Sequence, residues 1–265
     1  MSLDKHRLGH NFGRRAAGYH RYALVQGVMA EQLLADLKQY GRQYSRILEI
    51  GCGVGHYTQM LRRAFPEALI TAVDLAPAAI QVARQRLAAE KNIEWLMADG
   101  EEIVRGRFDL ITANSVFQWL SQPDRACRLY WQSLQPGGCL AFTTLGPRTF
   151  SELAASLVRA SQKFPGLRLP EVSAQTFAAA PNWRNCMAQA GFEQIVVHEE
   201  LRLEYHPDFW NLLRAIQGMG ATSTRPTFIP KRLLTAAEEY YERNYRRNGC
   251  IPASYEVIRV QGVKN

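Results

Sequence analysis

The sequence predicts a doubly wound α/β fold. Three observations carry this: short apolar runs alternate with helical patterns through the middle of the chain, a glycine-rich turn follows the first run, and two long extended stretches lie near the end. Strands are expected at Arg46 to Ile50, Leu69 to Val73, Ile93 to Ala98, Phe108 to Ala113 and Cys139 to Thr144. Helices are expected between them at His56 to Phe65, at Pro77 to Ala89, where Pro77 suits a first helical turn, and at Pro123 to Leu134. The run Gln135, Pro136, Gly137, Gly138 cannot continue a helix, so it reads as the turn before the fifth strand.

The flanks depart from this alternation. Phe12 to Tyr40 is a basic, tyrosine-bearing segment running into an amphipathic helix with Val28, Leu33, Leu34 and Leu37 on its apolar side, an N-terminal cap. Beyond the fifth strand, Thr149 to Phe164 and Asn182 to Ala190 read as helices and Glu193 to Tyr205 as extended. Pro207 to Gly218 and Pro230 to Tyr245 are helical again, and Tyr255 to Val263 is extended. The two late helices form an insertion between the final two strands and a candidate lid. The expected division is one domain over 1–265, with a cap at 1–45, a core at 46–145 and lid insertions at 146–180 and 206–250.

A chain of 265 residues buries roughly 75 % of its unfolded surface, enough for a core without metal or disulfides. Hydrophobic residues make up 47 % and charged residues 21 %, which excludes a disordered chain. No apolar run is long enough to span a membrane and the first residues lack a signal-peptide core, so a cytoplasmic protein is expected. Cys52, Cys127, Cys139, Cys186 and Cys250 are odd in number, scattered and without a CxxC pair, which argues against a disulfide framework or a zinc site. The net charge of +8 lies outside the middle. Lys and Arg outnumber Asp and Glu by 8 to 3 in residues 1–46 and 14 to 11 in 150–265, but match them 10 to 10 in 47–149. A basic surface of this kind attracts nucleic acid, membrane or an acidic protein, or is simply solvated.

EIGCGVG, Glu49 to Gly55, is the most informative stretch. Glycines so spaced after a strand allow a tight turn and close backbone approach to a ligand. A dinucleotide fingerprint needs GxGxxG, whereas His56 follows Gly55 and Glu49 would face a pyrophosphate, so a nicotinamide cofactor is disfavoured. Asp74 follows Gly51 by 23 residues at the end of the second strand, and Asp99, in MADGEE, ends the third. Taken singly, such an aspartate is an ordinary turn former. Together with FDLITANSVFQWL and LQPGGCLAF, the ordered set resembles the class I S-adenosylmethionine-dependent methyltransferases.

That resemblance implies a Rossmann-like, seven-stranded sheet and S-adenosylmethionine as methyl donor, leaving S-adenosylhomocysteine. It implies a cofactor site made by Glu49, Gly51, Cys52 and Gly53 at the turn, with Asp74 on the ribose diol, Leu75 among the cofactor contacts, and Asp99 and Gly100 framing adenine. Asn114 falls at the methionyl end, and Tyr19 from the cap matches a family tyrosine that closes over that end. The cofactor has a sulfonium, an ammonium and a diol but no phosphate, so acidic groups and backbone donors suit it better than a phosphate loop.

Amino-methylating nucleic-acid enzymes carry a proline pair after the fourth strand, where this chain has Asn114, Ser115, Val116 and Phe117, and no arginine-rich stripe is present. The ends are more specific. FGRRAAGYHRYALVQ, AFTTLGPRTFSEL, LLRAIQGMGATSTR and IPASYEVIRVQG resemble the malonyl-acyl-carrier-protein O-methyltransferases of biotin synthesis over nearly the whole chain; the stretch from Pro165 to Ala180 matches weakly. The resemblance implies methylation of the free malonyl carboxylate on an acyl carrier protein, with neither nucleic acid nor membrane as partner. That carboxylate is ionised at pH 7, so no general base is needed and no catalytic residue is assigned. Arg214, then Arg148, are the candidates for its guanidinium partner. Gln118 and Trp119 lie near the transferring methyl, although Trp119 suits core packing equally. His56 is no candidate base. Arg14, Arg15, Arg21, Lys231, Arg232, Arg246 and Arg247 form the basic face expected to steer an acidic carrier. Two alternatives stay open on sequence: another small-molecule carboxyl or hydroxyl O-methyltransferase, and a catalytically silent S-adenosylmethionine- or nucleic-acid-binding protein.

Overall fold

The computed structural model describes residues 24–102, 106–167, 172–218 and 229–265. Its elements run α1 (Leu24–Gln39), β1 (Arg46–Ile50), α2 (His56–Ala64), β2 (Leu69–Asp74), α3 (Pro77–Arg86), β3 (Ile93–Met97) and β4 (Phe108–Asn114), followed by a 3-10 turn, Phe117–Trp119. Then come α4 (Pro123–Ser133), β5 (Leu134–Leu145), α5 (Ser151–Ser161), a second 3-10 turn (Ser173–Thr176), α6 (Ala180–Ala190), β6 (Glu193–His206), α7 (Phe209–Gly218), α8 (Lys231–Tyr245) and β7 (Ile251–Val263). One seven-stranded sheet results, in the order β3-β2-β1-β4-β5-β7-β6. β1 to β5 are parallel, and β7 is antiparallel to both its neighbours. The chain winds outward from β1 to β3, then crosses to β4 on the other side of β1. A crevice therefore opens at the carboxyl ends of β1 and β4, where the winding reverses.

Apolar runs make this possible. Ile47, Leu48 and Ile50 of β1 are 0, 1 and 2 % exposed, as a central strand covered on both faces requires. Ile47 belongs to a core with Leu33 and Leu37 of α1 and Leu61 of α2. Leu48 and Ile50 belong to another with Tyr130 of α4 and Trp183 of α6. A third core joins Val25 and Met29 of α1 to Leu153 and Leu157 of α5, Phe209 and Leu212 of α7, Leu233 and Tyr241 of α8, and Tyr255 of β7. The late helices thus pack together beside β5 and β7 at the carboxyl end of the sheet.

The expected elements appear within the described residues with ends shifted by a few positions, and the part of the expected cap before Leu24 lies outside those residues; two differences go beyond the ends. Gln135 to Gly138 is not a separate turn: Gly137 N donates to Lys264 O (2.7 Å) and Lys264 N to Gly138 O (2.9 Å), so the ladder with the end of the chain draws these residues into an irregular start of β5. Val28 is not on the core side of α1; Val25, Met29, Leu33 and Leu37 are, and Val28 faces the crevice. Arg259 of β7 holds α1 in place through Asp36 (2.9 Å) and Gln32 (3.1 Å).

Candidate active site

The crevice holds a cavity of about 500 Å³. Its floor is the turn after β1, its sides are Asp74 and Leu75 after β2, Ala98 to Glu101 after β3 and Asn114 to Val116 after β4, and the start of α1 overhangs it with Leu24, Gln26, Gly27, Val28 and Glu31.

The turn is fixed by backbone hydrogen bonds. Gly51 N and Cys52 N both donate to Val73 O (2.7 and 2.9 Å). Gly51 has φ +69° and a Cβ there would lie 2.4 Å from Val116 Cγ2, so only glycine fits. Gly53, φ +53°, would place a Cβ in open space on the cavity wall, room that a ligand can use. Asp74 locks the far side: its Oδ2 accepts from Gly53 N and its Oδ1 from Ala76 N, both at 2.8 Å. Burial raises its carboxyl above the ordinary range, while the backbone donors of Ala76, Gly53 and Leu75 pull the other way. A carboxylate offers about four lone-pair sites, so these backbone donors leave acceptor capacity for a diol.

Asp99 caps its own loop by accepting from Glu101 N (2.9 Å). Glu101 is a residue that sequence reasoning missed. It is 4 % exposed and accepts from Ser121 N, Ser121 Oγ and Gln122 N at 3.0, 2.8 and 2.7 Å, tying the loop after β3 to the one after β4. Nothing in MADGEE distinguishes it from the neighbouring acids. The overhanging turn of α1 was missed too, because its alternate residues read as a plain amphipathic helix.

Several expected site residues take other places. Asn114 lines the cavity, but its Nδ2 donates to Gln26 O (3.0 Å) and its Oδ1 accepts from Thr143 Oγ1 (2.7 Å), so it ties α1 to the sheet. Glu49 does not line the cavity. It is buried beneath the turn at 1 % exposure, with Oε2 lacking a hydrogen-bond partner. Burial lifts its carboxyl to about 8, against the neighbouring Thr58 hydroxyl and with help from the charge of Asp74. Gln118 also lies off the cavity: Nε2 donates to Ser115 O (2.9 Å) and Oε1 accepts from Thr144 Oγ1 (3.0 Å), bracing Ser115 at φ +58°. Trp119 both lines the cavity and meets the Phe177 ring edge-on, with centroids 5.3 Å apart. His56 sits at the rim with part of its surface in solvent, and desolvation of the rest, followed by the charge of Arg86, lowers its pKa.

Neither candidate arginine lines the cavity. Arg148 is engaged elsewhere, its Nε donating to Glu256 Oε1 (3.0 Å) and its Nη2 to Glu199, which removes it as an open anion site. Arg214 is exposed on α7. Tyr19, Arg14, Arg15 and Arg21 lie outside the described residues. Lys231, Arg232 and Arg247 are exposed on α8 and just beyond it, while Arg246 is bonded to Glu242 and to Pro207 O. Among the described residues no helix is long and apolar enough to cross a membrane.

A glycine turn, an acid closing each of the next two strands and a cavity at the winding reversal define a class I S-adenosylmethionine-dependent methyltransferase. Residues 48–140 match a family described as a methyltransferase domain. The fold is that of the YcgJ protein from Bacillus subtilis, with a TM-score of 0.60 at 17 % identity over 89 % of this chain and 99 % of that one. It is also that of phosphoethanolamine N-methyltransferase 2 from Haemonchus contortus in complex with S-adenosyl-L-methionine, at 0.54 and 18 % over 88 % and 52 %. A malonyl-[acyl-carrier protein] O-methyltransferase of Halalkalibacterium halodurans is 33 % identical over 98 % of both chains. One from Anoxybacillus flavithermus is 36 % identical over 97 % of this chain and 96 % of its own. The chain belongs to the malonyl-[acyl-carrier protein] O-methyltransferase family.

Proposed function

We propose that this chain methylates the free carboxylate of a malonyl group carried on an acyl carrier protein, as in the biotin route that its sequence resembles. The observation that carries the reading is likeness to enzymes of that name over nearly the whole chain, lid included. The methyl donor, S-adenosylmethionine, supplies when bound a methyl group activated by a positive sulfur. Asp74 suits its ribose diol, Asp99 and Gly100 its adenine, and the open space at Gly53 a close backbone approach. The overhang of α1, tied by Asn114, covers the cavity and excludes water.

The acceptor carboxylate is ionised at neutral pH, since ordinary carboxyl values lie near 4. The protein therefore has no proton to remove. Its contribution is orientation, which in well-aligned systems supplies about 7 to 11 kcal/mol, and dryness, from the packed helices at the carboxyl end. We assign Arg214 to the malonyl carboxylate and Tyr19 to closure over the methionyl end. Arg148 keeps only a structural part. Residues 1–45 act as cap and 146–180 with 206–250 as lid. Lys231, Arg232 and Arg247 serve the acidic carrier, and neither nucleic acid nor membrane is a partner.

The test offers S-adenosylmethionine labelled in its methyl group together with malonyl carrier protein, free malonyl thioester or RNA. Base-labile label on the malonyl carrier protein supports the reading. Label on RNA alone, or on none of the three by a folded sample that binds the donor, overturns it.

A further inference from the structure

β6 forms one edge of the sheet, 14 residues long, and no other strand of the described residues lies on its outer side. Its second half does not look like a protected edge. Leu201, Leu203 and Tyr205 stand at alternate positions on one face and are 50, 49 and 58 % exposed. Glu200, Arg202, Glu204 and His206 alternate with them on the other face.

We infer that this edge pairs, antiparallel and about a two-fold axis at Leu203, with β6 of a second copy of the chain. Residues 200–206 read Glu-Leu-Arg-Leu-Glu-Tyr-His, a string complementary to its own reverse. In this register Leu203 meets the partner's Leu203, and Leu201 meets the partner's Tyr205. Arg202 meets the partner's Glu204, and Glu200 meets the partner's His206. Symmetry makes each unlike pairing occur twice. Apolar pairs thus fill one face, and the two Arg202–Glu204 pairs set opposite charges on the other, the combination that stabilises cross-strand pairs.

Neighbouring registers fail. An axis at Arg202 sets Arg202 against itself and Glu200 against Glu204. One at Glu204 opposes the two Glu204 carboxylates and sets Arg202 against His206. One at Leu201 places Leu203 opposite Glu199. Seven residues a side are fewer than the roughly 20 to 30 of a permanent interface, so the dimer is reversible and depends on concentration.

Sedimentation equilibrium of the full chain tests this. The mass should rise to twice that of the monomer with concentration, and Leu203→Lys should hold it at the monomer value with an unchanged circular dichroism spectrum and melting temperature. Arg202→Glu and Glu204→Arg should each be monomeric alone, because each sets like charges opposite one another. Their equimolar mixture, and the double variant, should dimerise again. A wild-type chain that stays monomeric at every soluble concentration overturns the inference. So does a dimer that survives Leu203→Lys and both charge reversals, or single variants that their mixture fails to rescue.

Discussion

Replacing Glu49 by glutamine separates the electrostatics under the glycine turn from its shape. Folding moves this carboxyl from the ordinary 4.5 to about 8, mainly because it is buried. Between those values the native chain keeps a proton that the unfolded chain gives up. The stabilisation is therefore whole below pH 4.5, is lost as pH rises through 8, and is constant above that. At about 1.4 kcal/mol per pH unit, the interval sets a ceiling of about 5 kcal/mol on the loss. Glu49→Gln is neutral at every pH and keeps the size of the side chain, but its amide brings buried donors worth about 1 to 3 kcal/mol if they stay unpaired. The variant should then be the less stable protein at pH 5 and the more stable one at pH 9, with the two curves crossing in between. Urea unfolding from pH 5 to 9 measures the difference and cancels every other titrating group. Parallel curves would refute the argument, for Glu49 would then be ionised in both states.

Four further outcomes follow from the site. Asp74→Ala removes the acceptor for the diol and the anchor of Gly53 N, and two charge-assisted hydrogen bonds at about 1.5 to 3 kcal/mol each should weaken donor binding by about a hundredfold or more in calorimetry; unchanged affinity would place the ribose elsewhere. Gly51→Ala meets both a left-handed backbone and a Cβ 2.4 Å from Val116, so it should lose about 2 to 4 kcal/mol of stability, whereas Gly53→Ala should lose about 1 to 2 kcal/mol but impair donor binding; equal melting shifts would contradict the contrast. Arg148→Ala should cost about 1 to 2 kcal/mol by depriving the buried Glu256 of a partner that is itself half in water, with KM for malonyl carrier protein unaltered, while Arg214→Ala should raise that KM and leave donor affinity alone; the reverse pattern would exchange their assignments. Turnover of malonyl carrier protein should fall with rising ionic strength while that of a free malonyl thioester changes little, and a flat salt profile would eliminate steering by α8.

The core of the fold was legible because burial on both faces leaves a visible mark. β1, β2 and β4 are largely apolar runs bounded by turn residues, the edge strand β3 is only half-buried, and the starts of all four match the expected positions. The acids at strand ends were legible for a related reason: a carboxylate at the tip of an apolar run stands out against its neighbours. What was not legible was orientation. Glu49 and Ile50 are adjacent, yet the twofold alternation of the strand sends Glu49 under the turn and Ile50 to the cavity. Gln118 and Trp119 are adjacent too, and one braces Ser115 while the other walls the site. The partners of Arg148 lie 51 and 108 positions away in sequence, and only the pairing of β6 with β7 brings them together, so no local pattern could reveal that its guanidinium is occupied.

On the proposed assignment of lid and acceptor residues, the three cores divide donor from acceptor recognition. The cavity proposed for the donor rests on β1 to β4, whose packing involves α2, α4 and α6, whereas the proposed acceptor side is α5, α7 and α8 packed against β7. Among the described helices α1 alone joins them, alongside the strands β5 and β7: Val25 and Met29 lie in the core of α5, α7 and α8, Leu33 and Leu37 in a sheet core, and Gln26, Gly27 and Val28 overhang the cavity between. A change in how α1 is seated must therefore be felt on both sides, and the Asn114 to Gln26 hydrogen bond is its fastening to the donor side. Loosening that bond with Asn114→Ala should weaken donor binding and also raise KM for the malonyl carrier, although Asn114 stands in the donor cavity. A variant that changes donor affinity alone would show that the two cores are not coupled through α1.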